Sequence, residues 1–183
     1  PTLGTSGWVG AGWGVRGCGK DPAARAVEHA MGMRRARRVA IRAWMFPRCA
    51  YSYVAKRAAF RGVLLALKIN CVLGASSVID GMTFSRREDY EKVAALAQAQ
   101  GADIVPLLIE CSPALARARI ASDAARGHLA GDREPFLVDE IAARFDASPE
   151  HAVRIDGSLP AVEMCRLAVA AVTAQMSVAL PKA

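Results

Sequence analysis

What this 183-residue sequence lacks narrows its class before any motif is read. It has no Cys-x-x-Cys pair and no histidine at metal-ligand spacing from a cysteine, which excludes the common zinc frameworks. Its five cysteines, Cys18, Cys49, Cys71, Cys111 and Cys165, are scattered and odd in number. That argues against a disulfide framework, so they are expected as buried or free thiols in a reducing cytoplasm. A membrane-length apolar run is also missing. The greasiest stretch, 58–79, is interrupted by Arg61, Lys68 and Asn70, and its longest uncharged run, 69–79, falls far short of the roughly 20 residues that a spanning helix needs. The Gly/Trp-rich opening has no apolar segment of a secretory leader and starts at Pro1, so an incomplete and a processed N-terminus both fit. With 53% apolar residues and a mean hydropathy of +0.19, a globule is expected rather than disorder. The length suits one domain with a real core, expected as a cytoplasmic monomer without membrane association.

What is present is unevenly spread. Residues 1–79 hold 13 Lys and Arg against 2 Asp and Glu, while residues 80–183 hold 11 against 15, so the net charge of +7 joins a strongly basic part to a mildly acidic one. All three tryptophans, Trp8, Trp13 and Trp44, lie in the first part. Two accounts of residues 1–74 stay open on sequence alone. Such a segment binds phosphate groups or nucleic acid, or it is an atypical Gly/Arg-rich N-terminus, disordered or translated from another frame or start.

From residue 75 onward, strand and helix patterns alternate at the spacing of βαβ units, which predicts an α/β fold with a mostly parallel sheet. Residues 75–79 read as a short buried strand ending at Asp80-Gly81. Ser85-Arg-Arg-Glu88 is a capping-box pattern that predicts a helix start, and Gly101 sits where a left-handed cap belongs. Residues 104–111 read as the next strand, with Pro106 at its beginning or at a bulge because proline cannot donate to a ladder. Ser112-Pro113 supplies an N-cap and a first-turn proline for a helix carrying Leu115, Arg117, Arg119 and Ile120. Residues 127–134 are polar, and Pro135 opens a helix with Leu137, Val138, Ile141 and Phe145 on its apolar face. Residues 151–155 read as a further strand. Pro160 begins a last helix whose Val162, Leu167, Val169 and Val172 are expected as core. Upstream, residues 22–45 read as one Arg-rich helix and 51–73 as an apolar one. The Gly-rich stretch 4–19 reads equally as a leader or a functional loop.

Gly14-Val-Arg-Gly-Cys-Gly-Lys20-Asp21 matches the phosphate-binding pattern GxxxxGK[ST] at every fixed position except the last. Glycines in such a loop let consecutive backbone N–H groups point at an anion, the helix start adds positive potential, and the lysine reaches the outer phosphates. Asp21 replaces the hydroxyl that ordinarily ligates magnesium, and no Val/Ile-rich strand precedes Gly14 to hold the loop. Gly12-Trp-Gly-Val-Arg-Gly17 also fits GxGxxG, without the strand or downstream acid of a dinucleotide site. Asp80 closes an apolar strand at the sheet edge where open α/β folds bind ligands; it reads as a magnesium ligand or as a turn aspartate before Gly81.

Taken in order, Ser77-Val-Ile-Asp-Gly-Met-Thr-Phe-Ser85, Ile109-Glu-Cys-Ser-Pro113 with Arg117 and Arg119, Gly127-His-Leu-Ala-Gly-Asp-Arg133 and Arg154-Ile-Asp-Gly157 resemble the AAA-type or zeta-toxin-like P-loop kinases, relatives of phage polynucleotide kinase, over residues 75–160. The resemblance implies a three-layer P-loop NTPase/kinase-like domain with a helical lid, and ATP and magnesium as cofactors. It puts Asp80 near the metal and the transferred phosphate, and Arg119, Arg126 and Arg133 on the lid facing the phosphates. Gly14, Gly17, Cys18, Gly19, Lys20 and Asp21 would form the phosphate loop, with Asp156, Gly157 and Ser158 near the adenine. The activity implied is transfer of the γ-phosphoryl group of ATP to a hydroxyl of a small molecule or nucleic acid, driven by positioning and charge neutralisation.

The sequence departs from that family in two places. The family carries an aspartate roughly 20 residues after the loop lysine to orient the acceptor hydroxyl, whereas Val39-Ala-Ile-Arg-Ala43 has no acid nearby; and Asp21 stands for Ser/Thr. A catalytically degenerate nucleotide- or nucleic-acid-binding module is therefore the alternative. For that alternative, Met33-Arg-Arg-Ala-Arg-Arg38 with Arg42 and Trp44 could grip nucleic-acid phosphates.

Overall fold

The computed structural model describes residues 7–47, 52–125, 136–143 and 145–179. Its elements are β1 (Trp8–Trp13), α1 (Lys20–Met31), β2 (Arg34–Arg37), α2 (Arg38–Met45), α3 (Tyr53–Val72), β3 (Ser77–Asp80), α4 (Arg87–Ala99), β4 (Asp103–Glu110), α5 (Pro113–Ala125), α6 (Leu137–Ala143), β5 (Val153–Asp156) and α7 (Ala161–Ala179). The five strands form one sheet in the order β2-β3-β1-β4-β5, and every pairing is parallel. Helices cover both faces, as a parallel sheet requires. Val9, Ala11, Trp13 and Ile79 meet Phe60, Val63 and Leu67 of α3 and Val93 and Ala97 of α4 on one side. Val78, Val105, Leu107 and Ile109 meet Ala24 and Val27 of α1 and Met164, Ala168 and Val172 of α7 on the other. This is a three-layer α/β architecture built on one parallel sheet.

The strand that the sequence reading failed to find ahead of Gly14 is β1, and it is the centre of the sheet. Val9, Ala11 and Trp13 alternate onto the α3/α4 face and are fully buried. Gly10 and Gly12 occupy the other phase, where neighbours come close: a Cβ on Gly10 would stand 3.4 Å from the Val78 side chain. Trp13 stacks on Phe84 at 5.4 Å and meets the edge of Tyr90 at 5.0 Å, contacts worth roughly 0.5–1.5 kcal/mol each beyond area burial. A tryptophan thus supplies the apolar bulk that β-branched residues give in most buried strands.

The single helix expected over 22–45 is a helix, a strand and a second helix. Gly32, in the left-handed region at φ 62°, ends α1. Arg34–Arg37 then pairs along β3, with Arg37 opposite Asp80. The helix expected over 51–73 is present as α3.

The capping box of Ser85 and Glu88 does not form, because α4 starts at Arg87. The Arg87 N–H donates instead to Asp146 Oδ2 at 2.8 Å, and the Asp146 N–H donates to the Ser85 carbonyl at 3.0 Å. A cap drawn from 59 residues away leaves no local pattern. By contrast, Ser112 Oγ caps α5 by accepting from the Leu115 N–H at 3.2 Å, and Gly101 follows α4 at φ 67°, both as expected. Pro106 lies within β4 rather than at its start. It faces Ala11 of β1, and β5 joins only from Leu107, so β4 has one neighbour at that point. In α7 the core stripe is Met164, Ala168 and Val172; Val162, expected as core, is 84% exposed. Residues 127–134 and Pro135 lie outside the described residues. Cys18, Cys71, Cys111 and Cys165 are free thiols, and no described helix is long and apolar enough to cross a membrane.

Candidate functional site

The C-terminal ends of β1 and β3 and the N-terminus of α1 converge on one site. The chain leaves β1 at Gly14 with φ 140° and enters α1 through Gly19 at φ 106°. Gly14 tolerates no side chain: besides its backbone angle, a Cβ would stand 2.8 Å from Cys18 Sγ and overlap the Ile109 carbonyl. Lys20 is 8% exposed and donates to the carbonyls of Gly14 (2.8 Å) and Val15, with Cys18 Sγ 3.5 Å from its ammonium. The loop therefore wraps its own lysine, and Gly14, Gly17, Cys18, Gly19, Lys20 and Asp21 lie together at this turn.

Asp80 is the other centre of charge. It is 2% exposed, and its Oδ2 lies 3.4 Å from both Arg35 and Arg37. Its Oδ1 is buried without a hydrogen-bond partner. Burial pushes the Asp80 pKa up to about 6, the adjacent Asp21 carboxylate adds to that rise, and Arg37 and Arg35 oppose it. Two acids side by side, one with an orphaned buried oxygen, fit a divalent cation. Among the described residues no group of three or more metal-ligating side chains exists. An ion held by this pair would draw its remaining ligands from phosphate oxygens and water, the ordinary habit of magnesium.

Arg119 of α5 reaches this loop from across the fold. It donates to the carbonyl of Gly157 at 2.7 Å and lies 3.5 Å from that of Gly17. Gly157 itself is wedged against the loop: a Cβ there would overlap the Cys18 carbonyl and stand 2.9 Å from that of Glu110. Asp156 and Ser158 flank it in a closed turn, in which Asp156 Oδ1 accepts from the Ser158 N–H (2.8 Å) and hydroxyl (2.6 Å); these bonds hold the exposed Asp156 carboxyl below its ordinary range. Gly157→Ala is expected to push this turn off the phosphate loop. Urea unfolding should show a loss of about 1–3 kcal/mol; an unchanged midpoint would mean that the turn yields freely.

A cavity of about 790 Å³ opens beside the loop, lined among others by Gly19, Lys20, Asp21, Arg25, Arg37 and Arg119. That size accommodates a nucleotide-sized ligand. Arg126 and Arg133 lie outside the described residues. Arg35 and Arg37 were missed as partners of Asp80 because the 22–45 segment was read as one helix; Arg25, on α1, carried no local signal. Had Arg34–Arg37 been read as a strand, Arg35 and Arg37 two residues apart would have fallen on one face, the face that meets Asp80. The same strand divides the basic run singled out for nucleic acid: Arg34 bonds to Asn70 at 3.0 Å, Arg35 pairs with Glu28 at 3.0 Å as well as with Asp80, and Arg42 is buried.

No protein-family model matches the sequence, and no curated protein matches it. Solved structures do match in shape. A gluconokinase from Sinorhizobium meliloti superposes with a TM-score of 0.70 at 16% identity, over 94% of this chain and 95% of that one. A sugar kinase from Janibacter sp. gives 0.68 at 18% identity over 95% and 98%. The APS kinase of Mycobacterium tuberculosis, solved with AMPPNP and APS, gives 0.68 at 12% identity over 92% and 98%. These likenesses establish a P-loop kinase-like fold in general and not the zeta-toxin-like or AAA-type branch in particular.

Proposed function

We propose that this protein is an ATP-dependent phosphotransferase that moves the γ-phosphoryl group of ATP to a hydroxyl. The observation that carries the reading is the juxtaposition of the Gly14–Lys20 loop, at the end of the central strand, with the buried, half-unsatisfied carboxylate of Asp80 next to Asp21. When bound, ATP and magnesium would supply the electrophilic phosphorus and neutralise charge on its oxygens. Lys20 would exchange its bonds to the Gly14 and Val15 carbonyls for phosphate oxygens, and Asp80 with Asp21 would hold the metal. Arg119, already beside Gly17, would add positive charge where phosphoryl transfer builds negative charge. The turn Asp156–Ser158, packed on Cys18, would border the nucleotide. As the acceptor oxygen formed its bond to phosphorus, the bond from phosphorus to the ADP oxygen would break, ADP would carry away that electron pair, and the acceptor proton would pass to solvent water.

A specific observation favours a second reading, a nucleotide-binding module without turnover. The C-terminal end of β2, where the resemblance to the kinase family implies an acid, holds Arg37, and that arginine with Arg35 occupies Asp80 Oδ2. Transfer of radiolabelled phosphate from ATP across a panel of hydroxyl compounds separates the two. Magnesium-dependent ATP binding together with labelled product supports the enzyme. Binding without product from any acceptor supports the module.

A further inference from the structure

We propose that Arg37 divides its guanidinium between two anions: the Asp80 carboxylate, which it holds in this structure, and the terminal phosphates of a nucleotide, onto which it turns as a divalent metal ion takes that carboxylate. The proposal rests on the phosphotransferase reading for the identity of the ligand. The exchange itself concerns binding and needs no turnover.

The two arginines of β2 are not equivalent. Arg35 is fixed by two acids: its Nε pairs with Glu28 Oε2 at 3.0 Å, and its Nη1 lies 3.4 Å from Asp80 Oδ2. It does not border the 790 Å³ cavity. Arg37 pairs with Asp80 through Nε alone, at 3.4 Å, which is longer than the roughly 2.7–2.9 Å of a strong charge-assisted bond. Its side chain is 25% exposed and borders the cavity together with Gly19, Lys20, Asp21 and Arg119. Engagement through Nε leaves both Nη groups, the planar fork that suits phosphate oxygens, for a further anion.

The strand register puts both anions within reach of one side chain. β2 pairs in parallel with β3, and Arg37 stands opposite Asp80, so the two residues close neighbouring strands at the sheet edge that carries the phosphate loop. Asp80 Oδ1 is buried without a hydrogen-bond partner, so a cation finds one oxygen of this carboxylate unclaimed. A dication at Asp80 repels the guanidinium that shares the carboxylate, while phosphate oxygens in the cavity attract it. Metal and polyphosphate thus favour the same position of Arg37, and each improves the site for the other. Arg35, anchored to Glu28, stays behind.

The test reads binding. Calorimetric titrations with ATP in EDTA, and with AMP as a nucleotide that lacks the terminal phosphates, compare the wild type with Arg37→Ala, Arg37→Lys and Arg35→Ala. Arg37→Ala should weaken ATP binding about tenfold or more and AMP binding less than about twofold. Arg37→Lys should recover most of that loss, and Arg35→Ala should keep the wild-type ratio of ATP to AMP affinity. Binding of Mn²⁺ without nucleotide, followed by electron paramagnetic resonance as a probe of the magnesium position, should tighten about threefold or more in Arg37→Ala, because Asp80 loses a competing cation. Equal losses for ATP and AMP, the result of a merely structural arginine, would overturn the exchange, as would an unchanged Mn²⁺ affinity. If ATP and Mn²⁺ respond as expected while no acceptor yields labelled product, the exchange stands and the phosphotransferase reading falls. If labelled product forms and Arg37→Ala binds ATP like the wild type, that reading stands and the exchange falls.

Discussion

Replacing Lys20 with alanine is expected to raise the Kd for ATP·Mg by about ten- to a hundredfold and to abolish phosphoryl transfer, while leaving the protein folded. The loss follows from where the ammonium sits. It is 8% exposed and enclosed by its own loop, so its charge acts through a medium of low polarity, and charge-assisted bonds in such places are worth about 1.5–3 kcal/mol. The cost to the fold should be small. The carbonyls of Gly14 and Val15 lose a donor, at roughly 1 kcal/mol or less, since both residues border a separate hollow that water can enter. Titration calorimetry and thermal unfolding on the same preparations check both halves. Nucleotide binding indifferent to Lys20→Ala would remove the loop from the site altogether.

Asp80→Asn should do something less common: remove activity and stabilise the metal-free protein at neutral pH. In the unfolded chain Asp80 has its ordinary pKa near 3.8; in the fold, burial and the Asp21 carboxylate raise it to about 6. Between those values the folded state keeps a proton that the unfolded state releases. The group's contribution therefore favours the fold fully below pH 3.8 and is lost as pH rises through about 6. Two pH units correspond to about 3 kcal/mol at most. Asparagine cannot ionise, so the variant should match the wild type near pH 4 and exceed it at pH 7.5 by about 1–3 kcal/mol in urea unfolding with EDTA present. Magnesium-dependent turnover in the same variant should fall by about 10²-fold or more, since the buried oxygen facing the metal position loses its charge. A stability difference that stays flat from pH 4 to 7.5 would show that Arg35 and Arg37 already neutralise Asp80.

Both experiments address a conflict within the site. An acid beside a second acid, with one oxygen orphaned, is a costly arrangement in an empty pocket. Proteins retain such strain where a ligand relieves it, and here a divalent cation has the matching chemistry. On the proposed reading, the two arginines on β2 compete with a divalent cation for the same carboxylate.

Much of this was readable from the chain. Local chemistry with short spacing was the most legible: the glycines and lysine of residues 14–20, the Ser112-Pro113 cap, the Gly101 terminator, and Asp80 at the end of an apolar run. Each depends on neighbours within a few positions, and the structure preserves each. The failures share one cause. Strand β1 was overlooked because Gly10 and Gly12 diluted its apolar signal. Arg34–Arg37 was read as helix because four polar residues acquire a strand's identity only from pairing with β3. The Ser85 box was displaced by Asp146, whose claim on the Arg87 N–H no local pattern records.

By itself, then, the sequence determined the α/β class, the parallel organisation after residue 75 and the glycine and lysine spacing of residues 14–20, because periodicity and backbone preference act locally. Only the tertiary structure decided that a glycine-rich segment is the central strand and that Arg35, Arg37 and Asp21 gather around Asp80. Those facts belong to the register of parallel strands and the approach of distant helices, where burial and charge arise between residues that the chain order keeps far apart.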